Sequence, residues 1–366
     1  MPFKRIKDYL PDIYSDILPE VFDLEIPEES FTQCSDCPLV CESRDELRRD
    51  ETKPFAPDTK CCTFMPRLPN YLAGAFFCDA DPAIDQGRDF LRKAILHRKG
   101  IFPHGIWPTK KYRMLYDVGR MDGFGRSRYL KCPYFLDSDY NCSLWKYREA
   151  ICATWFCKHI AHKTGKELWA AIQEFIQGVQ YQLILHCIRE LGAPAIEPYG
   201  ENNNISLEDM DDMPMHPAEY SQRWGLWEGK EEEFYMKCFM LVKKMKRAEL
   251  AELCGEPADE LANRIAAVRN RMMTIPLILA RNPDYKMITE HDNVYRIHFE
   301  NHIERNNTTI TYAFDLPAFV LDAFDGKECT DGVLEKINQK HSIRVHPEII
   351  ISLYHHGVLM ATDNKS

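Results

Sequence analysis

The most regular pattern of apolar and polar positions lies in the middle of the chain. From residue 166 to 191, apolar residues recur at steps of three and four, which places them on one face of an α-helix. Gly192 is well suited to end this helix, because glycine readily adopts the left-handed conformation common after a last helical turn. The same periodicity predicts helices over residues 229–253 and from 257 to about 273. Residues 166–285 are therefore predicted to form a helical domain.

Residues 192–216 interrupt this periodicity. They include three consecutive asparagines and the acidic run DMDDMP. Such a composition is typical of loops rather than of helices or strands that pack in a core. We therefore expect this segment to be an exposed linker.

The C-terminal part of the chain shows a different period. Apolar and polar residues alternate over 293–299 and 308–314, which predicts the two strands of a β-hairpin. Three short helical patterns follow, and Thr330 is the expected N-cap of the second. Two strands and three helices predict a small, winged-helix-like α+β domain over residues 286–366.

Composition and charge limit the class of protein. The chain has 366 residues, of which 45% are hydrophobic and 28% charged, a balance typical of globular domains. Its net charge of −10 disfavours nonspecific binding to nucleic acid or to an anionic membrane. The N-terminal sequence MPFKRIKDYLPDIYSD lacks the apolar run of a signal peptide, and no stretch approaches the roughly 20 apolar residues of a membrane span. We therefore expect a cytoplasmic protein that binds neither nucleic acid nor membrane.

Cysteines are concentrated in the N-terminal part of the chain. Ten of the 14 lie within residues 1–165. Disulfides are rare in the reducing cytoplasm, so this crowding favours thiolate ligands of a metal. The sequence thus predicts a mainly α protein with irregular, cysteine-rich metal-binding loops in residues 1–165, besides the α+β domain at the C-terminus.

The spacing of these cysteines supports a metal site. Cys34 and Cys37 form a C-x2-C pair, whose short loop lets both sulfurs turn toward one centre. Cys61 and Cys62 are adjacent, so we expect their side chains to diverge. A turn-rich segment then carries cysteines at ten-residue intervals, and the glycine-broken GRMDGFGRSR run before it is predicted to be a turn that leads into these loops. The predicted ligands are Cys34, Cys37, Cys41, Cys61, Cys62, Cys132, Cys142, Cys152 and Cys157.

The order of these motifs resembles a known family. A C-x2-C-x3-C motif, a CC pair and the run C-PYFLDSDYN-C-SLWKYREAI-C are similar to the bacterial CxxCxxCC family of zinc- or iron-chelating domains, over residues 30–165. That family includes the N-terminal region of the flagellin lysine N-methylase, and the resemblance implies iron–sulfur binding. The family's compact motif is split here by 19 residues between Cys41 and Cys61. Either of these two cysteines could therefore fill the third ligand position.

The identity of the metal stays open between two choices. Zinc and iron–sulfur clusters both take four thiolates per centre. One or two [4Fe-4S] clusters are favoured, because the cysteines lie among aromatic residues and lack the paired C-x2-C register of a zinc ribbon. Zinc is the alternative. Cys78, Cys187 and Cys238 are expected to be packing residues, and His159 is expected to face solvent.

A weaker resemblance concerns residues 290–361. Their helical pattern is similar to the peptide-chaperone domain of pyrroloquinoline quinone biosynthesis, also called the RiPP recognition element, which implies binding of a peptide or protein substrate as an added strand. Residues 286–366 contain 8 Lys and Arg against 12 Asp and Glu, which disfavours DNA as the partner.

Three functions therefore remain open. The first is a metal-cluster binding protein. The second is a peptide- or protein-modifying enzyme similar to the lysine N-methylase, for which no catalytic residue is identified. The third is a zinc-stabilised interaction module.

Overall fold

The computed structural model describes most of the chain. The described residues are 3–29, 37, 40–41, 43–44, 55–138, 140–156, 159, 161–199, 205–286, 288–303 and 308–362. Two of the predicted ligands, Cys34 and Cys157, lie outside them. The structure is about 53% helical with small sheets, which confirms a mainly α protein with a minor β component.

The helices of the described residues are α1 (Asn70–Cys78), α2 (Asp85–Leu96), α3 (Lys110–Gly123), α4 (Ala150–Thr154), α5 (His162–Glu190), α6 (Leu207–Met210), α7 (Pro217–Trp224), α8 (Glu231–Lys244), α9 (Arg247–Cys254), α10 (Glu256–Met273), α11 (Ala318–Asp322), α12 (Thr330–His341) and α13 (Pro347–His355). Short 3₁₀ helices occur at Ile6–Tyr9, Asp12–Tyr14, Glu20–Asp23, Pro82–Ile84, Arg128–Leu130, Trp145–Tyr147 and Gly225–Trp227.

The strands are β1 (Phe3–Arg5), β2 (Glu25–Pro27), β3 (Leu68–Pro69), β4 (Ile101–Phe102), β5 (Gly105–Ile106), β6 (Phe135–Leu136), β7 (Asn141–Cys142), β8 (Ile278–Arg281), β9 (Ile288–His291), β10 (Val294–Ile303), β11 (Thr308–Pro317), β12 (Asp325–Cys329) and β13 (Leu359–Ala361). They pair as β1-β2, β3-β5-β4, β6-β7, β11-β10-β9 and β12-β8-β13, and every pair is antiparallel.

The long helix α5 is central to the larger core. Its apolar stripe, which includes Leu168, Ile172 and Leu183, is fully buried and packs against α1, α4, α8, α9 and α10. The chain leaves the helix through Gly192, which has a φ of 62°. The predicted helix and its end are thereby confirmed. The apolar positions that repeat along the helix form the face that the neighbouring helices cover.

The larger core is one continuous cluster of buried residues from Ile6 to Met272. It includes residues on both sides of the predicted boundary between 165 and 166. A second core, from Leu279 to Leu359, belongs to the C-terminal unit. The three-domain division itself stays a prediction.

Residues 205–217 are mostly exposed, as expected for the linker predicted over 192–216, but ion pairs anchor this segment. Asp209 and Asp212 pair with Lys110 and Lys99, with Nζ–Oδ2 distances of 3.0 and 2.9 Å. Just upstream, the Tyr199 hydroxyl donates to a backbone carbonyl at 2.8 Å and its ring packs against other aromatic rings. The acidic side chains therefore hold this segment against the N-terminal region. A sequence pattern cannot reveal this, because the lysine partners lie about a hundred residues away.

The C-terminal unit confirms the predicted hairpin. Strands β10 and β11 pair from Val294 opposite Pro317 to Ile303 opposite Thr308. The three predicted helices are also present as α11, α12 and α13. Strands β8, β9, β12 and β13 were not predicted, since segments of three to five residues give too few positions to establish a period of two.

Thr330 is not the N-cap of α12. The N-cap is Cys329, and Thr330 is the first helical residue. Its hydroxyl instead donates to the Pro276 carbonyl at 2.9 Å. A partner from another part of the chain thus replaces the local cap that the sequence suggested.

The C-terminal unit contacts the helical region through α13. His355 hydrogen-bonds the Met272 carbonyl through Nε2 at 2.8 Å, and its Nδ1 lies 3.3 Å from the hydroxyl of Thr164. Among the described residues, no helix is both long enough and apolar enough to cross a bilayer.

Candidate functional site

The first part of the site is the loop that carries Cys61 and Cys62. Gly125, from the glycine-broken segment after α3, holds this loop by backbone hydrogen bonds. Its carbonyl accepts from the Ala56 amide at 2.8 Å, and its amide donates to the Thr63 hydroxyl at 2.7 Å. Residues 119–123 of the GRMDGFGRSR run belong to α3, so the predicted turn is confined to the part from Phe124 onward, which leads into the cysteine loops.

The second part is the hairpin β6–β7. The Cys132 amide donates to the Cys62 carbonyl at 2.7 Å, and Phe135 pairs with Cys142 across the hairpin. The ammonium group of Lys60, a buried lysine, donates to the Tyr140 carbonyl at 2.7 Å and so ties the first loop to the turn of the hairpin. These contacts place the main chain of Cys132 and Cys142 beside that of Cys62.

The third part is the short helix α4, which carries Cys152. Glu149 caps the helix, since its carboxylate accepts hydrogen bonds from the amides of Ile151 and Cys152 at 2.9 and 3.0 Å. Glu149 is buried, and burial raises the pKa of its carboxyl group. This cap fixes the orientation of the first turn and hence the position of Cys152.

The three parts bring together a group that we name the cysteine cluster: Cys61, Cys62, Cys132, Cys142 and Cys152. Their electrostatic coupling shows their proximity. A hydrogen bond from Cys62 is the main cause that lowers the pKa of Cys61, whereas the pKa of Cys62 is raised by the same bond, by burial and by the charges of Cys61, Cys142 and Cys132. The expectation that the adjacent cysteines diverge is therefore wrong.

The other members of the cysteine cluster are kept protonated. Burial raises the pKa of Cys132 and Cys152, and repulsion from Cys142 adds to it in both cases. Burial raises the pKa of Cys142 to about 11, although Arg148 opposes the shift. Thiols whose pKa is raised in this way are neutral at neutral pH.

Aromatic rings and cations surround the cysteine cluster. Phe124 lies between Phe55 and Trp155, with ring centroids 5.7 and 5.9 Å away, and Cys37 and Cys61 pack against this group. Lys60 acts electrostatically on Cys61, and Arg148 on Cys142.

The remaining predicted ligands occupy different positions. Cys37 lies close enough to Cys61 for its charge to raise the pKa of that thiol. Cys41 is buried, and its thiol donates to the Phe55 carbonyl at 3.1 Å. All twelve cysteines of the described part of the chain are free thiols.

Whether these residues could hold a metal depends on donor type and on arrangement. An all-sulfur donor set is the kind that zinc and iron–sulfur clusters take. Among the described residues, however, no three Cys, His, Asp or Glu side chains are arranged to hold a metal ion. The donor chemistry therefore fits a metal, while the sulfurs are neighbours rather than a closed ligand cage.

Other chemically active residues differ in part from their predicted roles. Cys187 and Cys238 are fully buried, which confirms them as packing residues, but Cys78 is exposed at the end of α1. His159 does not face solvent: its side chain is only 14% exposed, and its Nδ1 lies 3.8 Å from the buried Glu29 carboxylate. The sequence around His159 is polar and gave no sign of this burial.

Comparison of the chain with models of protein families, with curated proteins and with solved structures gives no match. The resemblances drawn from the cysteine motifs and from the C-terminal pattern therefore stay hypotheses.

Proposed function

We propose that this protein binds an iron–sulfur cluster through the thiolates of the cysteine cluster. The observation that carries the proposal is the convergence of Cys61, Cys62, Cys132, Cys142 and Cys152, which come from three segments spread over about 90 residues of sequence. A reduced, cytoplasmic setting is part of the proposal, and the free thiols are consistent with it.

The residues around the cysteine cluster have separate tasks in this proposal. The rings of Phe55, Phe124 and Trp155 exclude water. Lys60 and Arg148 offset part of the negative charge that four thiolates would carry. Glu149 orients one of the sulfur donors through its cap on α4. A bound cluster supplies one-electron chemistry, with a potential that such charges and hydrogen bonds adjust.

Four of the five thiolates suffice for one [4Fe-4S] cluster. Cys37 lies close to Cys61. Cys34, Cys37, Cys41 and Cys157 belong to the same proposal as further ligands of that centre or of a second one.

The test is metal analysis of protein purified without oxygen. We expect iron together with acid-labile sulfide, and broad absorption near roughly 400 nm, as cluster thiolates give. Cys132→Ser should lose the iron and part of the stability, because metal binding at such a site is coupled to folding. Cys238→Ala, a matched change at a buried cysteine outside the cysteine cluster, should keep the iron. Metal-free wild-type protein, or unchanged iron in Cys132→Ser, would contradict the proposal.

A zinc-stabilised interaction module is the second candidate, because zinc takes the same all-sulfur donor set. It predicts one zinc per four cysteines, no acid-labile sulfide and no visible absorption. The same metal analysis therefore separates the two proposals.

For the C-terminal unit we propose a winged-helix-like fold that captures a peptide. The order of its helices and strands supports the winged-helix-like fold. Strand β12 lies between α11 and α12, β13 follows α13, and both strands pair with β8. In the other sheet, β10 is central and β11 and β9 are its outer strands, so a peptide could add a strand there.

This unit would serve a peptide- or protein-modifying enzyme such as a lysine N-methylase. The test is a melting experiment with S-adenosylmethionine. A ligand at about 100 times its dissociation constant adds about 2.7 kcal/mol of stability. If saturating S-adenosylmethionine leaves the melting temperature unchanged, that cofactor is removed from the proposal.

A further inference from the structure

Tyr134 is a fully buried tyrosine at the edge of the cysteine cluster. Its side chain is not exposed at all, and its hydroxyl group has no hydrogen-bond partner among the described residues. A buried polar group without a partner destabilises a fold, and such groups are few in folded proteins. The hydroxyl of Tyr134 therefore remains available as a donor inside the protein.

The position of Tyr134 is fixed by both its main chain and its ring. Its carbonyl accepts hydrogen bonds from the amide and the hydroxyl of Ser143, each at 2.9 Å. Its ring packs edge-on against Phe90 of α2, with centroids 5.2 Å apart. Gln86, also on α2, donates to the Phe135 carbonyl at 2.9 Å and so ties the hairpin to this helix. The phenol ring is therefore held in one orientation.

The hydroxyl lies near three sulfurs of the cysteine cluster. Tyr134 comes two residues after Cys132, and Ser143, to which its carbonyl is bonded, directly follows Cys142. Burial raises the pKa of Tyr134, and the charges of Cys132, Cys142 and Cys152 raise it further. The hydroxyl thus keeps its proton and can donate a hydrogen bond.

Main-chain donors already face two of these sulfurs. Burial raises the pKa of Cys132 and Cys142, and hydrogen bonds from the amides of Tyr134 and Leu144, respectively, oppose the rise. Each amide comes two residues after the cysteine that it faces. Because donors at a sulfur favour its charged form, this part of the chain is arranged to support thiolates.

Tyr112 is a comparable tyrosine whose hydroxyl is satisfied. It also lies near the cysteine cluster, since burial and then the charges of cluster members raise its pKa. Its hydroxyl accepts from the Met65 amide at 2.8 Å, and the carbonyls of Thr63 and Leu130, to which it donates, lie at 3.0 and 2.9 Å. The main chain therefore accounts for the hydroxyl of Tyr112 but not for that of Tyr134.

We propose that the hydroxyl of Tyr134 donates a hydrogen bond to a ligand sulfur of the bound iron–sulfur cluster and thereby raises its reduction potential. The inference rests on the proposed function and adds to it a residue that adjusts the potential. A neutral thiol accepts hydrogen bonds weakly, whereas a charged acceptor gives a shorter and stronger bond. Such a bond stabilises the reduced state of a cluster, which carries more negative charge, and so shifts the potential upward.

The test compares the wild type with Tyr134→Phe, which keeps the ring and removes only the hydroxyl group. Both proteins should take up the same amount of iron. In a redox titration followed by visible absorption and electron paramagnetic resonance, Tyr134→Phe should have the lower potential, with the equilibrium constant for reduction decreased about threefold or more. In the metal-free protein its urea midpoint should equal or exceed that of the wild type, because an unpaired buried hydroxyl has been removed.

Tyr112→Phe is the matched control. It should lower the urea midpoint of the metal-free protein, because the Met65 amide loses its acceptor, and it should keep the wild-type potential. An unchanged potential in Tyr134→Phe, or a loss of metal-free stability as large as that of Tyr112→Phe, would overturn the role of Tyr134 alone. Wild-type protein that takes up no iron would overturn the proposed function and this role with it, so the iron content distinguishes the two failures.

Discussion

Gly125 should be required for the stability of the loop that carries Cys61 and Cys62. It has a φ of 73°, a conformation that other L-residues adopt at a cost. A Cβ added there would lie 2.2 Å from a ring carbon of the fully buried Phe55. Gly125→Ala therefore combines backbone strain of roughly 1–2 kcal/mol with an overpacking cost of about 1–3 kcal/mol. We expect a loss of about 2–5 kcal/mol in the free energy of unfolding.

Gly119→Ala provides the control within the same segment. Gly119 lies in the interior of α3, and an added Cβ would meet the nearest side chain at an ordinary distance of 3.9 Å. This change should stabilise the helix by roughly 0.5–1 kcal/mol, because alanine loses less conformational entropy than glycine on folding. The free energy of unfolding should thus fall in Gly125→Ala and rise in Gly119→Ala. Because both variants replace glycine by alanine, the difference in sign must come from the position.

The assay is urea denaturation of both variants, combined with the rate at which the thiols of Cys61 and Cys62 are alkylated in the native state. Gly125→Ala should lower the midpoint and raise the alkylation rate, since the added Cβ pushes the backbone of residue 125 away from Phe55 and strains its backbone hydrogen bonds to Ala56 and Thr63. A Gly125→Ala protein as stable as Gly119→Ala would refute the reasoning.

Two further predictions concern an ion pair and the thiols outside the cysteine cluster. A hydrogen bond from Lys7, with a further one from Arg247, lowers the pKa of Asp23 in the folded protein. This contribution to stability is complete above the unfolded pKa of about 3.9 and is lost as pH falls through the folded pKa. Urea midpoints of wild type and Asp23→Asn should thus differ at pH 7 and converge as pH falls below the folded pKa of Asp23; a constant difference would contradict the assignment. Separately, iodoacetamide should modify the exposed Cys78 in the native protein and leave the buried Cys187 unmodified until the protein unfolds. Peptide mass mapping measures both reactions, and equal alkylation rates of Cys78 and Cys187 would contradict the burial of Cys187.

The sequence predicted the elements whose apolar pattern extends over many residues and missed the short ones. The helix over 166–191 was found because its apolar positions repeat over 26 residues, and the hairpin because polar and apolar residues alternate over seven residues in each strand. Strands such as β3 to β7, two residues each, carry no usable period. The docking of residues 205–217 depends on ion pairs with residues far away in the sequence, which no local pattern contains.

For the site, the sequence indicated which cysteines could meet but not how they are arranged. Their crowding within residues 1–165 pointed to shared use. The contact between Cys61 and Cys62 was not predicted, since the side chains of adjacent residues tend to diverge.

The buried cysteines of this protein fall into two groups, and the difference bears on what the cysteine cluster is for. Cys187 and Cys238 lie in the interiors of α5 and α8, are fully buried and pack as small apolar side chains. The members of the cysteine cluster lie on a loop, a two-strand hairpin and a one-turn helix, and most of them are only partly buried. Cys132 belongs to the larger apolar core and Cys62 and Cys142 pack against it, but the thiols of this second group also adjoin Lys60, Arg148 and Glu149. Charged neighbours and partial access are what thiols need when they exchange a proton for a metal, so this second group is the one to which the metal proposal applies.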